Sequence, residues 1–180
     1  MSPDVHPLTA SAAYRAGAFA FVLALAGILA AIAFERIGGY APCELCLMQR
    51  WAYYAGIPAL FVALALVAAG QLRWSALLLF TVALAFLANA GLGVYHAGVE
   101  WKFWPGPETC SGPLQPLASP AGGLLQSLEG TRVIRCDDAP WRLFGLSFAG
   151  WNVVLSLVIF LAAFQGAVAA VRRSKVIHSL

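Results

Sequence analysis

The chain has 180 residues, 61% of them hydrophobic and only 11% charged, with a formal net charge of +3 and a mean hydropathy of +0.79. So few polar side chains cannot cover a water-soluble domain of this size, which excludes a soluble globular enzyme. The small positive excess lies beside apolar runs, so no nucleic-acid surface is needed to explain it.

In chain order, the first uncharged apolar run covers residues 16–34, close to the ~20 residues that cross a bilayer as a helix. Arg15 precedes it and Ala31-Ile32-Ala33 could mimic a cleavage site. A signal peptide's apolar core is shorter, roughly 7–15 residues, so this run is expected to remain a span. Ala16, Ala20, Ala24 and Gly27 give it a small-residue face for close helix packing.

Next comes "APCELCLMQRWAYY", residues 41–54. It sets Cys43 and Cys46 three positions apart, with Arg50 following, at the mouth of the second run, residues 51–70. The short link Gln71-Leu72-Arg73 leads to the third run, residues 74–95. Residues 96–147 then carry Pro105, Pro107, Pro113, Pro116, Pro120 and Pro140 with several glycines, the composition of irregular chain. Within them "GLLQSLEG" can form a short helix presenting Leu124, Leu125 and Leu128 to a membrane surface. "WRLFGL", Trp141 to Leu146, reads as a surface-hugging approach to the fourth run, residues 151–171. Three runs open on tryptophan, and Tyr53, Tyr54 and Tyr95 lie near run ends, as interfacial anchors do. The expected fold is an all-α membrane protein: a four-transmembrane-helix bundle, one domain over residues 1–180, with loops at 35–50 and 96–147, the second long and mostly irregular.

An even number of spans puts both termini on one side and both loops on the other. Lys and Arg are five on the termini side and six opposite, but the five crowd into short flanks, and "VRRSK" directly follows the fourth run. The positive-inside rule therefore places the termini in the cytoplasm and the loops outside.

All four cysteines, Cys43, Cys46, Cys110 and Cys136, then share one aqueous face, the oxidising one in a bacterium. Three readings are open: a redox dithiol, structural staples, or a zinc site. A Cys-x-x-Cys loop is too short to make a good staple, because closing it removes little chain entropy. At a helix start its thiol meets the positive end of the helix, and Arg50, four residues after Cys46, would stand one turn away. Zinc ribbons bring their second pair adjacent, whereas Cys110 and Cys136 are far apart in sequence. A loop ending in a thiol pair suits disulfide exchange with an outside partner.

"PCELCLMQR" before a span, "HAGVEWKFWPGPETC" after the third and "CDDAPWRLFGLSFAGWN" before the fourth resemble the bacterial disulfide bond formation protein B family, DsbB, in order and spacing over nearly the whole chain. The resemblance implies a bacterial inner-membrane, quinone-dependent thiol oxidoreductase. Such an enzyme reoxidises a periplasmic DsbA-like thioredoxin-fold protein and passes the electrons to membrane quinone, ubiquinone or menaquinone. It further implies that Cys43 and Cys46 are the quinone-side pair, with Cys46 the thiolate against the quinone ring. Cys110 would form the mixed disulfide with the partner, Cys136 would be its pair-mate, and Cys43 and Cys136 would join transiently. Arg50 matches the family's quinone-holding arginine. Gln49 stands where well-known members carry an acid, which leaves Arg50 with one fewer neighbour to pair with.

His96 is a further quinone-binding candidate, or else caps the end of the third span. Asn89 and Asn152 are expected to hydrogen-bond between helices, and Trp51, Tyr53 and Tyr54 to form an aromatic belt. Two other function classes stay in view. One is a membrane subunit with purely structural disulfides. The other is an enzyme of the vitamin K epoxide reductase kind, whose redox Cys-x-x-Cys sits near the end of a late span.

Overall fold

The computed structural model describes residues 7–107, 136, 137 and 139–178. Four helices dominate: α1 (Pro7–Arg36), α2 (Glu44–Ala68), α3 (Leu72–Glu100) and α4 (Phe148–His178). Each contains a stretch long and apolar enough to cross a membrane. Such a stretch must satisfy its backbone polar groups within itself, and a helix does so. The chain is therefore a membrane helical bundle, as its apolar runs predict.

The helices overrun those runs. α2 begins at Glu44, well before Trp51, and α3 continues past Tyr95 to Glu100. Cys46, Gln49, Arg50, His96 and Glu100 in these extra turns find partners inside the bundle, so they do not force the helices to stop. Two consequences follow for the expected loops. The first loop contracts from 35–50 to 37–43, and Cys46, expected outside any span, lies in the first turns of α2. His96 likewise moves from loop to helix. The α2–α3 link is also displaced, to Ala69, Gly70 and Gln71, where Gly70 takes a left-handed φ of 75° to close α2.

Each helix packs on its neighbour in sequence, and α1 closes the ring against α4; the α3–α4 interface is the largest. Small residues make these approaches close. Ala20, Ala24, Ala63, Ala83, Ala162 and Ala163 fill the core around Leu60, Leu79, Phe86 and Ile159. At Gly56 a Cβ would come within 2.7 Å of the Phe86 ring, so only glycine fits there without a shift. Asn89 donates to Ser156 Oγ at 2.9 Å across α3 and α4, the interhelical role expected of it. Large apolar side chains such as Phe19, Val22, Phe61 and Leu77 stay exposed on the outside, where lipid would cover them.

"WRLFGL" does more than lie along a surface. It folds into a small hairpin, β1 (Arg142–Leu143) against β2 (Leu146–Ser147). Its two turn residues, Phe144 and Gly145, both have positive φ, 51° and 81°, the form that matches strand twist. Trp141 stacks on Phe148 at 4.7 Å, pinning the hairpin over the start of α4. Leu124, Leu125 and Leu128 lie outside the described residues.

Candidate active site

Cys43 is the N-cap of α2, and its sulfur accepts the Cys46 backbone N–H at 3.3 Å. The two sulfurs lie 3.0 Å apart, and with the charge on Cys43 the Cys46 thiol is the donor between them. Both cysteines carry free thiols, whereas Cys136 is disulfide-bonded and buried against Cys43, Leu45 and Val99. The sulfurs of Cys43 and Cys136 and a ring nitrogen of His96 all lie within 4.8 Å of one another. Three such residues resemble a metal cluster, but a sulfur already in a disulfide has no thiolate to offer an ion. The arrangement is a thiolate facing a disulfide. Cys110 lies outside the described residues.

The Cys43 thiol is pulled down to about 4 from an ordinary 9.0. The chief cause is the hydrogen bond from the Cys46 thiol; burial opposes it, and the His96 ring and the Cys46 N–H assist. In the reduced pair these contacts favour the negative charge on Cys43, held at a helix start; the resemblance places a thiolate on Cys46 when it faces quinone. Because a lowered value keeps the thiolate present on acidification, alkylation of Cys43 in reduced protein should stay level from neutral pH and fall only through about 4. Site-resolved mass spectrometry of a pH series checks this. A rate that still climbs between neutral pH and 9.0 would mark an ordinary thiol.

A chain of side-chain hydrogen bonds runs into the site from α4. The Tyr53 hydroxyl donates to Asn152 Oδ1 at 2.7 Å, and Asn152 Nδ2 donates to Gln49 Oε1 at 2.7 Å. With its oxygen so occupied, Gln49 turns its amide nitrogen to His96 Nδ1 at 2.9 Å. An N–H cannot face an N–H, so Nδ1 is the acceptor and the ring's proton sits on Nε2. That atom lies 3.6 Å from Cys43 Sγ. His96 is therefore neither a helix cap nor turned to solvent: it is buried and supports Cys43. Asn152 and Tyr53, expected as interhelical and interfacial residues, belong to the site's framework, while Trp51 and Tyr54 stay exposed.

Arg50 is not short of a partner. Its Nη1 meets Glu35 Oε2 at 2.5 Å, a carboxylate from the end of α1 that takes the place of the acid absent at position 49. The second acid missed by sequence reasoning is Glu100, four residues after His96. It is buried, accepts from Ser147 Oγ, and lies 3.9 Å from His96 Nε2. The spacing of His96 and Glu100 on one helix face was the available signal. Nothing in the local sequence marks Glu35 as the partner of Arg50.

These groups open on a cavity of about 750 Å³ between α1, α2 and α4, within the range usual for small-molecule sites. Cys46, Gln49, Arg50, His96, Glu100 and Asn152 line its polar side, and Ile28, Phe34, Tyr40, Trp141, Phe148 and Leu155 its apolar side. A planar ring with polar oxygens and an apolar tail fits such a two-faced wall.

Residues 14–170 match the family model described as "Disulfide bond formation protein DsbB". The chain is 31% identical over 172 residues to the disulfide bond formation protein B of Xanthomonas oryzae pv. oryzae, covering 92% of this chain and 96% of that one. It is 35% identical over 148 residues to the protein of the same name from Marinobacter nauticus, covering 79% and 85% of the two chains. No solved structure matches at the significance these relatives reach.

Proposed function

The chain belongs to the DsbB family of disulfide bond formation proteins, membrane thiol oxidoreductases, and from that premise we propose that it oxidises a periplasmic DsbA-like thioredoxin-fold dithiol and delivers the electrons to membrane quinone. In this reading the termini are cytoplasmic and the cysteine loops periplasmic. The observation that carries it is the position of Cys43. Its sulfur lies 3.0 Å from Cys46 Sγ and within 4.8 Å of the disulfide sulfur of Cys136, beside the cavity.

The partner's thiolate attacks at Cys110 and releases Cys136 as the leaving thiolate. Cys136 then attacks a Cys43–Cys46 disulfide at Cys43, the near sulfur, and Cys46 leaves. The partner's second thiolate then displaces Cys110 and leaves with its new disulfide, and Cys110 attacks Cys136 and releases Cys43, so that Cys110–Cys136 is closed and Cys43 and Cys46 are left reduced, the redox state described above. Exchange of this kind needs a thiolate and a good leaving thiol. The helix start and the bonds on Cys43 favour both, because they stabilise negative charge on that sulfur.

Arg50 and Cys46 would hold a quinone in the cavity, whose wall His96 also lines. A bound quinone supplies an acceptor for two electrons and two protons. Arg50 aims a planar, permanently charged donor at the cavity, and its bond to Glu35 leaves other N–H groups available. His96 lines the wall but has both ring nitrogens turned to protein groups, so its part is to steady Cys43.

Purified protein mixed with a reduced thioredoxin-fold dithiol and a quinone tests the reading directly. Quinone absorbance should fall in step with loss of partner thiols. Partner oxidation without quinone consumption would leave a disulfide carrier that uses another acceptor.

A further inference from the structure

The reduced pair lacks one proton that its oxidation requires. Closing Cys43 and Cys46 to a disulfide releases two electrons, and a quinone that becomes quinol also takes up two protons. Cys46 brings one as its thiol hydrogen, but Cys43, as a thiolate, brings none. Something in the cavity must hold the second.

Glu100 is the one carboxyl among the described residues that line the cavity. The charged or titratable groups that face it are His96 on its own helix, Cys43 and Cys46 from the start of α2, and Arg142 from the hairpin. Among the described residues no lysine or arginine stands within ion-pair distance of it. What it does face is His96 Nε2, at 3.9 Å, and the same nitrogen lies 3.6 Å from Cys43 Sγ. Gln49 occupies Nδ1 as a donor, so the ring has a single N–H to give. One donor is therefore set between two acids. It can turn to one of them at a time; Ser147 Oγ stays on Glu100 and the Cys46 thiol and N–H stay on Cys43, but two buried anions beside a single ring donor would still repel each other at a cost.

We propose that Cys43 and Glu100 share one proton across His96 Nε2, so that Glu100 stores the proton Cys43 sheds and surrenders it when Cys43 and Cys46 close to a disulfide. The inference rests on the quinone-linked reaction proposed above. Written in balance, the Cys43 thiolate, the Cys46 thiol, the Glu100 carboxylic acid and a quinone become the Cys43–Cys46 disulfide, the Glu100 carboxylate and a quinol. Both electrons leave from the sulfurs, one proton comes from Cys46 and the other from Glu100. The Nε2–H then turns from sulfur to carboxylate. The next dithiol, which gives up two hydrogens overall, restores the Glu100 proton. Glu100 acts here as a positioning and proton-holding residue; Gln49, an amide where an acid would bind a second ring proton, keeps His96 a single donor.

Infrared difference spectroscopy of the full chain without quinone reads this directly, comparing dithiothreitol-reduced with diamide-oxidised protein. The reduced state should show a carboxylic-acid carbonyl stretch that converts to carboxylate bands on oxidation, and Glu100→Gln should remove both signals. An unchanged carboxyl between the two states, or a signal that survives in Glu100→Gln, overturns the proposal. Should that variant not fold, the wild-type difference spectrum decides alone. In a second arm, a short-tailed benzoquinone should oxidise prereduced Glu100→Gln about 100-fold more slowly than wild type at alkaline pH, with the deficit shrinking on acidification. A deficit that does not vary with pH would reduce Glu100 to a structural residue. The two readings fail separately: a flat infrared difference with normal quinone oxidation removes only the proton store. A redox-linked carboxyl signal in protein that quinone cannot oxidise removes only the quinone reaction.

Discussion

Replacing Cys46 with serine is expected to end turnover and leave part of the protein with a covalent bond between Cys43 and Cys136. Serine keeps a hydroxyl that can donate to the Cys43 sulfur, so the thiolate at the helix start survives. It cannot form a disulfide, so Cys43 has no partner within its own loop. The sulfur of Cys136, already in a disulfide and within 4.8 Å, is then the electrophile in reach among the described residues. Attack there displaces the other half of that disulfide as a free thiol. Non-reducing peptide mapping should find the Cys43–Cys136 linkage in Cys46→Ser and not in Cys43→Ser, with both variants inactive toward quinone. If Cys46→Ser instead oxidises the partner dithiol at the wild-type rate with no cross-link, the pairs do not communicate and the disulfides only staple the loops.

The reach of the sequence is uneven for physical reasons. The four spans were legible because a bilayer tolerates no other uncharged run of that length, and α1 to α4 fall on them. Their ends were not. The apolar criterion stops at Arg50 and His96, whereas the helices run on because Arg50 is satisfied by Glu35, and Gln49 and His96 by Asn152, by one another and by Cys43. Cys43 and Cys46 were identified by spacing alone, and the helix start beneath them was anticipated. What supports a negative charge on Cys43 was not legible, since it depends on the thiol hydrogen bond and on the approach of His96 from α3.

Acids were the hardest to read. Gln49 implies one neighbour fewer for Arg50, yet the fold supplies Glu35 to Arg50 from α1 and Glu100 to His96 from within α3. A pair such as Arg50 and Glu35 is set by how two helices meet across a short loop, and no local pattern encodes that meeting. The Phe144–Gly145 turn is similar: a phenylalanine at positive φ is read as a turn only once the strands on either side are seen to pair.

Arg50 is where the second large effect is expected. Its guanidinium is planar, always charged and able to donate through several N–H groups at once. Glu35 holds one end at 2.5 Å, and the side chain is only 13% exposed, so the group enters the cavity already oriented. A donor fixed in advance stabilises an oxygen that gains negative charge on reduction without the cost of reorganising at that moment. Arg50→Gln should therefore lower kcat/KM for quinone by about 2.7–4 kcal/mol, roughly 100- to 1000-fold. Arg50→Lys keeps the charge but loses the fork, and should fall between the two. Exchange between the partner and the second cysteine pair needs neither the cavity nor Arg50, and should stay near the wild-type rate in both variants. The competing reading makes Arg50 an interfacial anchor whose stem lies along lipid with its charge in water. Such an anchor would be solvated at its tip, whereas Arg50 is turned inward to a carboxylate. Stopped-flow mixing of prereduced variants over a quinone titration separates the two, because an anchor's loss would shift membrane insertion or stability and leave the quinone kinetics of the folded protein unchanged.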